Sequence, residues 1–477
     1  MTLSKAFPYT QSSALSTQHS ALSFSALSTF LPLCCAILIV MFLSVPAKAA
    51  LPTGIDTLQI ATGFIASKQN TFPFWTWANQ NGRVPTQQSS SFFTRIRMNK
   101  ISDDEKTFDW YYGFDVTART NSSQDLILTD AYAALAYKNL RLTLGRKAET
   151  FGLVDTLLSA GSTVYSRNAP TIPKVSLATN GYVDLTEWLA VNAYLAHGWL
   201  GEERTIPNSL LHEKFVYLRL GEAYPDQGLN FYAGVHDLAV WGGEGQPSGL
   251  KDLLTVFFGK GGSNGVITEQ QNALGDHRGT IEFALQQKDI DRDFFLYVQT
   301  MFEDGSGLRF WYPGDYLLGV SMINKNKESH FARINLELLD TRSGAIITDY
   351  PDDYLTNGYY GAWVYKGFGI GTPFIPFVKG ADNSYSPLNR VRVINTGVMM
   401  RFTKLFNPLV RVAYIENYGS IGNPLPDNQK TSMVACDLTN TTPLAHGWSL
   451  TQQLSLDAGK SIAPNPAFGL TITKTIE

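Results

Sequence analysis

From about residue 54 onward the chain alternates apolar and polar side chains with period two. In 108–118, Phe108, Trp110, Tyr112, Phe114, Val116 and Ala118 share one face, while Asp109, Tyr111, Gly113, Asp115, Thr117 and Arg119 share the other. Ile281, Phe283 and Leu285 oppose Thr280, Glu282 and Gln286 in the same way, and Ala332, Ile334, Leu336 and Leu338 oppose Arg333, Asn335 and Glu337. Trp448, Leu450, Leu454 and Leu456 oppose Ser449, Thr451, Gln453, Ser455 and Asp457. Further segments lie near 90–99, 140–146, 214–220, 390–402 and 408–414. Successive side chains of a strand point to opposite faces, so each segment reads as a strand with one apolar and one polar face.

Two all-β architectures give this pattern. A soluble sandwich or propeller buries the apolar face, whereas a transmembrane antiparallel barrel turns it to lipid and lines its lumen with the polar one. The strands run to roughly 10–13 residues, which suits the 9–11 needed to cross a bilayer at a tilt. Short turns such as Lys138-Asn139 alternate with long connections such as 241–276. Tyr194, Trp199, Trp241, Trp311, Trp363 and Trp448 fall near strand ends, where an interfacial girdle would sit. The pattern therefore predicts a transmembrane barrel of about 18 strands with long extracellular loops. One difficulty stands: strict alternation from residue 54 puts the 241–276 loop on the periplasmic side. Either a further strand lies between 148 and 184, or that region folds inward. The closing strand alternates Phe468, Leu470, Ile472 and Ile476 with Gly469, Thr471 and Thr473.

Composition narrows the classes. Only 17% of residues are charged and 12% are aromatic, which excludes a coiled coil and a highly charged disordered chain. A formal charge of −3 without a basic stripe argues against a nucleic-acid partner. Mean hydropathy of −0.08 excludes a polytopic helical membrane protein. Residues 1–49 hold no acid, carry Lys5, contain an apolar run from Phe30 to Val45 and end in Ala47-Lys48-Ala49. That reads as a secretory signal peptide over 1–49, cleaved after Ala49, with the barrel occupying 50–477. Cys34 and Cys35 leave with it, so Cys436 remains alone and is expected to be buried on a strand.

Several stretches resemble the Wzi family of capsule-assembly outer-membrane proteins. They are Phe74-Trp75 with Ala78-Asn79-Gln80-Asn81-Gly82, Tyr165-Ser166-Arg167-Asn168-Ala169-Pro170, His197-Gly198-Trp199, and Leu210-Leu211-His212-Glu213-Lys214. Val235-His236-Asp237-Leu238-Ala239-Val240-Trp241, Asn272-Ala273-Leu274-Gly275-Asp276-His277-Arg278-Gly279, Phe302-Glu303-Asp304-Gly305 and Asn357-Gly358-Tyr359-Tyr360 continue the series. Their order over roughly 70–375 makes the set specific. The resemblance implies an 18-stranded barrel occluded by loops and minor helical segments. It also implies a monomer that binds capsular polysaccharide at the cell surface and organises it there.

The residues themselves offer two constellations. Sugar sites pair aromatic faces with forked hydrogen-bonding groups. Trp199 beside Arg204, then His236, Asp237, Trp241 and Glu244, then Asp304, Arg309 and Trp311, are candidates for polysaccharide binding. Tyr350, Tyr354, Tyr359 and Tyr360 among Asp349, Asp352 and Asp353 are similar in kind. On the polar face, Arg219, Arg333, Arg390, Arg392, Arg401 and Arg411 are candidates for a lumen lining, together with Asp109, Asp115, Arg119 and Glu337. Such a wall either attracts anionic solutes or cross-links with acids and plugs the lumen.

Catalytic patterns are missing from the sequence. His212-Glu213 lacks the second His of a zinc protease, no Gly-x-Ser-x-Gly elbow occurs, and no His pair has zinc spacing. No cofactor or metal is implied. Segment 248–258 reads as a short capped helix within a long loop. The expected function is non-enzymatic binding of capsular polysaccharide by a barrel seated among outer-membrane lipid. The alternative is a porin for small, possibly anionic, solutes.

Overall fold

The structure, a computed structural model, describes residues 51–477 apart from 121–125, 222–226, 263–272, 304–314, 344–353, 423, 427–428 and 461. Eighteen staves close into one antiparallel barrel. In chain order they are β1 (Thr57–Ser67), β2 (Ser90–Lys100), β3 (Phe108–Arg119), β4 (Leu126–Tyr137), β5 (Leu140–Arg146) and β6 (Lys174–Thr179, resumed at Val183–Asp184). Next come β7 (Leu189–Trp199), β8 (Leu210–Leu220), β9 (Gly228–Trp241), β10 (Asp276–Lys288), β11 (Arg292–Glu303) and β12 (Tyr316–Asn324). The circuit ends with β13 (Phe331–Asp340), β14 (Val391–Met400), β15 (Leu409–Asn417), β16 (Thr431–Pro443), β17 (Trp448–Gly459) and β18 (Ile462–Ile476). Each stave pairs with its neighbours in sequence, and β18 returns to β1 with Leu58 opposite Ile476. Closure leaves the wall without an unpaired edge, the condition for crossing lipid in strands.

The burial pattern identifies the solvent of each face. On β3, Asp109, Gly113, Asp115, Thr117 and Arg119 are buried inside, while Phe108 and Trp110 are exposed outside. Leu195, Val216, Phe231, Phe283, Leu336 and Leu454 are likewise exposed on the outer wall. Such a belt would be an aggregation hazard in water and is the buried face in a bilayer. No helix among the described residues is long and apolar enough to cross a membrane; the chain crosses with strands.

The topological difficulty resolves at β6. Lys174–Thr179 is the further strand between 148 and 184, paired to β5 and β7. With it counted, the connections that follow β1, β5, β9 and β13 all leave from one end of the barrel. Short turns such as 138–139, 289–291 and 444–447, and both ends of the sheet, lie at the other. Long loops belong on the extracellular side of such barrels.

The lumen is filled by three stretches of the long-loop end: 68–89 with its single-turn helix α1 (Phe74–Trp77), 147–173, and 354–376. Phe74 stacks on Phe374 at 5.2 Å and 8°. The buried Trp363 donates its indole N–H to the Val164 carbonyl at 2.7 Å. Backbone bonds tie the stretches together, among them Asn81 N–H to Arg167 O (2.6 Å), Ser166 N–H to Ile370 O (2.9 Å) and Thr372 N–H to Thr163 O (3.0 Å). Their apolar faces form one cluster with the inward residues Tyr194, Phe215, Tyr217, Tyr297, Val391 and Ala435.

Several Trp and Tyr positions depart from the girdle expectation. Trp199 is exposed on the outer wall, and Trp448 sits at the short-turn end beside Lys474. Tyr194 instead faces inward and stacks on Phe215, Trp363 lies inside the plug, and Trp241 is covered. Cys436 shares the outward face with the exposed Val434 and is half-buried, so it lies on the lipid side and not in the interior.

Candidate functional site

The polar lumen face is a set of sockets for the plug. Wall carboxylates accept plug N–H groups: Asp457 from Phe74 (2.8 Å), Glu337 from Ala160 (3.3 Å), and Glu282 from Leu153. Gln299 adds an amide contact, accepting from Thr163 N–H at 3.3 Å. In the reverse sense, Asp155 of the plug takes the Arg333 Nε–H at 2.7 Å while its other oxygen accepts the N–H groups of Leu157 and Leu158. Gly152 has φ +89°, and a Cβ there would lie 2.6 Å from the Gln299 amide nitrogen, so glycine permits the chain to press against the wall.

Of the arginines expected to line the lumen, Arg219, Arg333 and Arg411 face inward. Each is paired: Arg219 with Asp184, Arg333 with Asp155, and Arg411 with Asp437 at 2.9 Å while lying 4.8 Å from the Trp75 ring. The other three depart from that expectation. Arg392 shares its face with the exposed Ile394 and lies on the outer wall, because even positions of β14 point outward. Arg390 belongs to a long-loop-end connection and bonds the Arg342 carbonyl at 3.2 Å. Arg401 lies in a short turn and donates to Asn326 O at 3.1 Å. The cross-linked plug, and not an open arginine wall, is the arrangement present.

The residues expected to bind polysaccharide are not brought together. His236 is wholly buried inside the barrel against Glu213 (3.1 Å), which also meets Lys174 (2.8 Å). Its neighbour Asp237 points outward to Lys214 (2.6 Å) and His277 (3.2 Å). Adjacent residues of a strand face opposite ways, so the two cannot share one site. Trp241 is 1% exposed, covered from outside by α2 (Leu250–Phe257). Trp199 faces outward at the rim. Glu244 is exposed at the long-loop end and accepts from Asn208 at 3.2 Å. Asp304, Arg309 and Trp311 lie outside the described residues, as do Asp349, Tyr350, Asp352 and Asp353.

Arg204 does reach an open cleft. A cavity of about 580 Å³ opens at the long-loop end between 200–205 and 362–385. Its polar and aromatic lining includes Glu203, Arg204, Tyr365, Lys366, Lys379 and Tyr385, with Asp382, Asn383 and Ser384 along one side. Two small hairpins build it: Val364–Tyr365 pairs with Phe368–Gly369, and Phe377–Lys379 with Tyr385–Pro387. Lys366 and Asn383 take left-handed turns (φ 49° and 66°) that close them. Arg204 clamps the two sides, donating to the carbonyls of Ala362 (3.1 Å) and Tyr360 (3.2 Å). Burial pushes its guanidinium down to about 10, still cationic at neutral pH. The Ser384 hydroxyl and amide hold the Asp382 carboxyl below the usual range, so it stays ionised. Lys379 lies 5.9 Å from the Tyr385 ring centroid. Aromatic edges, amides, ammonium groups and a carboxylate around one open cleft suit hydroxyls and acidic groups of a glycan. Among the described residues, no group of three or more His, Cys, Asp or Glu could hold a metal ion.

Sequence reasoning passed over Tyr365, Lys366, Lys379 and 382–385. The signal available was the Asp382-Asn383-Ser384 run between two short aromatic segments, a hairpin turn rich in hydrogen-bonding groups.

A family model described as capsule assembly protein Wzi matches residues 66–375. Wzi of Escherichia coli has a similar fold, with a TM-score of 0.54 at 14% identity over 87% of this chain and 83% of that one. It is described as an outer membrane protein involved in group 1 capsule assembly and as a carbohydrate-binding β-barrel. Pseudomonas aeruginosa OccK5 (TM-score 0.47, 9% identity, 89% and 98% covered) and Acinetobacter baumannii OccAB4 (0.44, 11%, 91% and 100%) are also similar in structure. No curated protein matches the sequence.

Proposed function

The chain belongs to the Wzi family of capsule-assembly outer-membrane proteins, and from that premise we propose that it binds capsular polysaccharide at the long-loop end and anchors or organises it at the cell surface without a catalytic step. The observation that carries this reading is the cleft of about 580 Å³ lined by Tyr365, Tyr385, Lys366 and Lys379, at the end of the barrel opposite both ends of the sheet. A capsular glycan is too large to enter the plugged lumen, so a surface cleft is where it can be gripped. The described carbohydrate-binding barrel of similar fold supports the same ligand class. Chain export rests on 1–49 acting as a cleaved signal peptide, which N-terminal sequencing of the outer-membrane form tests directly.

The test is glycan retention by the purified full chain. Tyr365→Ala, Lys379→Ala and Tyr385→Ala should each weaken binding of an acidic capsular polysaccharide roughly tenfold, about 1.4 kcal/mol, and should loosen the capsule in cells. Unchanged retention in all three variants would overturn the assignment of this cleft. Absence of any binding by the wild type would overturn the function. The porin alternative requires an open lumen, and steady single-channel conductance of the wild type that glycan leaves unaffected would establish it instead.

A further inference from the structure

The wall over β8–β10 breaks the outward apolar pattern. Register places the outward residues in tiers: Leu220–Phe231–Leu285, Leu218–Ala233–Phe283 and Val216–Val235–Ile281 are apolar. The next tier is Lys214–Asp237–Gly279 and the one above it His212–Ala239–His277. Polar side chains thus begin only three tiers up. On β9 the exposed apolar run from Leu229 to Val235 spans about 20 Å along the strand, or about 15 Å in height at a tilt near 40°. On β4 the run from the exposed Leu126 to the exposed Tyr137 spans about 28 Å by the same arithmetic. A bilayer needs a band about 25 Å tall. The sector is short by about 10 Å, one helix diameter.

A helix fills that gap. α2 lies against the outside of the wall, its Val256 fully buried with Ala239, Trp241 and Leu274. Phe257 caps His212 at 5.6 Å and Lys214 at 5.2 Å. On its far side, Leu250, Leu254 and Phe258 are 76%, 53% and 65% exposed. Their i, i+4, i+8 spacing makes one ridge, which water would not favour and lipid would. Below Phe257, the wall residues Leu177, Leu195, Val216 and Val235 line an open groove of about 420 Å³, almost entirely carbon-lined. Lys214 and Asp237 stand at its upper end, and the exposed Lys251 and Lys260 sit at the two ends of the helix.

We propose that α2 is embedded in the outer leaflet and that the groove beneath it seats one acyl chain of a phosphorylated outer-leaflet glycolipid, its headgroup phosphates distributed among Lys214, Lys251 and Lys260. An acyl chain matches the carbon lining and the depth of the groove, which runs down the apolar tiers. Phosphate groups match the three ammonium groups, of which, among the described residues, only Lys214 has a carboxylate bound to it. The seat thereby couples the loop end that carries the glycan cleft to the lipid surface on which a capsule rests.

Two experiments on the full chain test this. In the first, barrel reconstituted with phosphorylated glycolipid and phosphatidylglycerol is re-extracted into detergent, and lipid retained per barrel is measured by native mass spectrometry. The wild type should keep one glycolipid, and Leu195→Trp, which fills the groove, should keep at least tenfold less. Equal retention by the variant, complete delipidation of the wild type, or retention of phosphatidylglycerol instead would each overturn the seat. Heat-dependent gel mobility confirms that the variant barrel is folded. In the second, Leu254→Cys in a Cys436→Ser background carries an environment-sensitive fluorophore. Brominated acyl chains should quench it and aqueous iodide should not; the reverse result would overturn the embedding.

Discussion

Removing the Asp155 carboxylate should release the 147–173 plug segment from the wall. Asp155 side-chain atoms have no exposure, and the carboxylate meets Arg333 Nε at 2.7 Å, the Ser321 hydroxyl, and the N–H groups of Leu157 (3.0 Å) and Leu158 (2.9 Å). In Asp155→Ala the guanidinium loses its counter-charge and the amides lose their acceptor. Breaking such a buried pair from one side costs about 3–5 kcal/mol, a shift of roughly 10²–10⁴ in the docked-to-released ratio of the segment. Asp155→Asn keeps the shape but loses the charge, and should cost about 1.5–3 kcal/mol, the worth of a hydrogen bond to a charged group. Hydrogen exchange in membranes is the assay, because 151–164, apart from the exposed Thr156 and Leu157, is largely buried in the lumen and its amides exchange on release. Exchange there should quicken in the order wild type, Asp155→Asn, Asp155→Ala, with the barrel strands unchanged. Intermittent channel openings should accompany it in planar bilayers. Arg333→Ala should reproduce the effect, and the double variant should cost less than the two singles together. Wild-type protection in Asp155→Ala, or strict additivity with Arg333→Ala, would refute the reasoning.

Trp363→Ala should destabilise the plug by about 3–5 kcal/mol, because the indole is fully buried and holds Val164; thermal unfolding followed by near-UV circular dichroism reads it. Gly152→Ala should cost more than 1 kcal/mol, since a Cβ there meets the Gln299 amide at 2.6 Å in a left-handed backbone, and exchange across 151–164 would again report it. The Asp382 turn depends on an ionised carboxylate whose value is depressed by Ser384. A depressed folded-state value gives stability that is present above the ordinary aspartate range and lost as pH falls below it. Protection of the Ser384 amide should therefore hold from neutral pH to about 4 and fall below that; loss already at pH 6 would contradict it. Cys436 faces lipid with Val434, so a charged maleimide should label it only after denaturation.

The local half of this molecule was legible in the chain. Period two assigned the faces of β3, β10, β13 and β17 correctly, because pleating depends on nothing beyond the strand itself. The capped helix at 250–257 was legible for the same reason: Asp252 reaches back to the Gly249 N–H at 2.9 Å. The missed strand was β6, six residues followed by an interruption and a two-residue resumption, too brief for a periodic signal. The separation of His236 from Asp237 followed from the same pleat that identified their strand, yet sequence proximity had grouped them.

Which partner each polar residue meets depends on contacts between segments remote in the chain. Asp155 and Arg333 are 178 positions apart, and nothing local tells whether an inward arginine lines a channel or holds a plug. That is settled when 68–89, 147–173 and 354–376 fold into the lumen and convert wall charges into sockets, since a buried charge must find its counter-charge wherever the chain delivers it. The cleft arises likewise from 200–205 and 362–385, remote in sequence and joined by the carbonyls that Arg204 holds. Alternation alone specified a wall with one apolar and one polar face, because it is a property of each strand. Closure, the filling of the lumen and the meeting of loops at one rim depend on contacts between distant segments, and those belong to the fold.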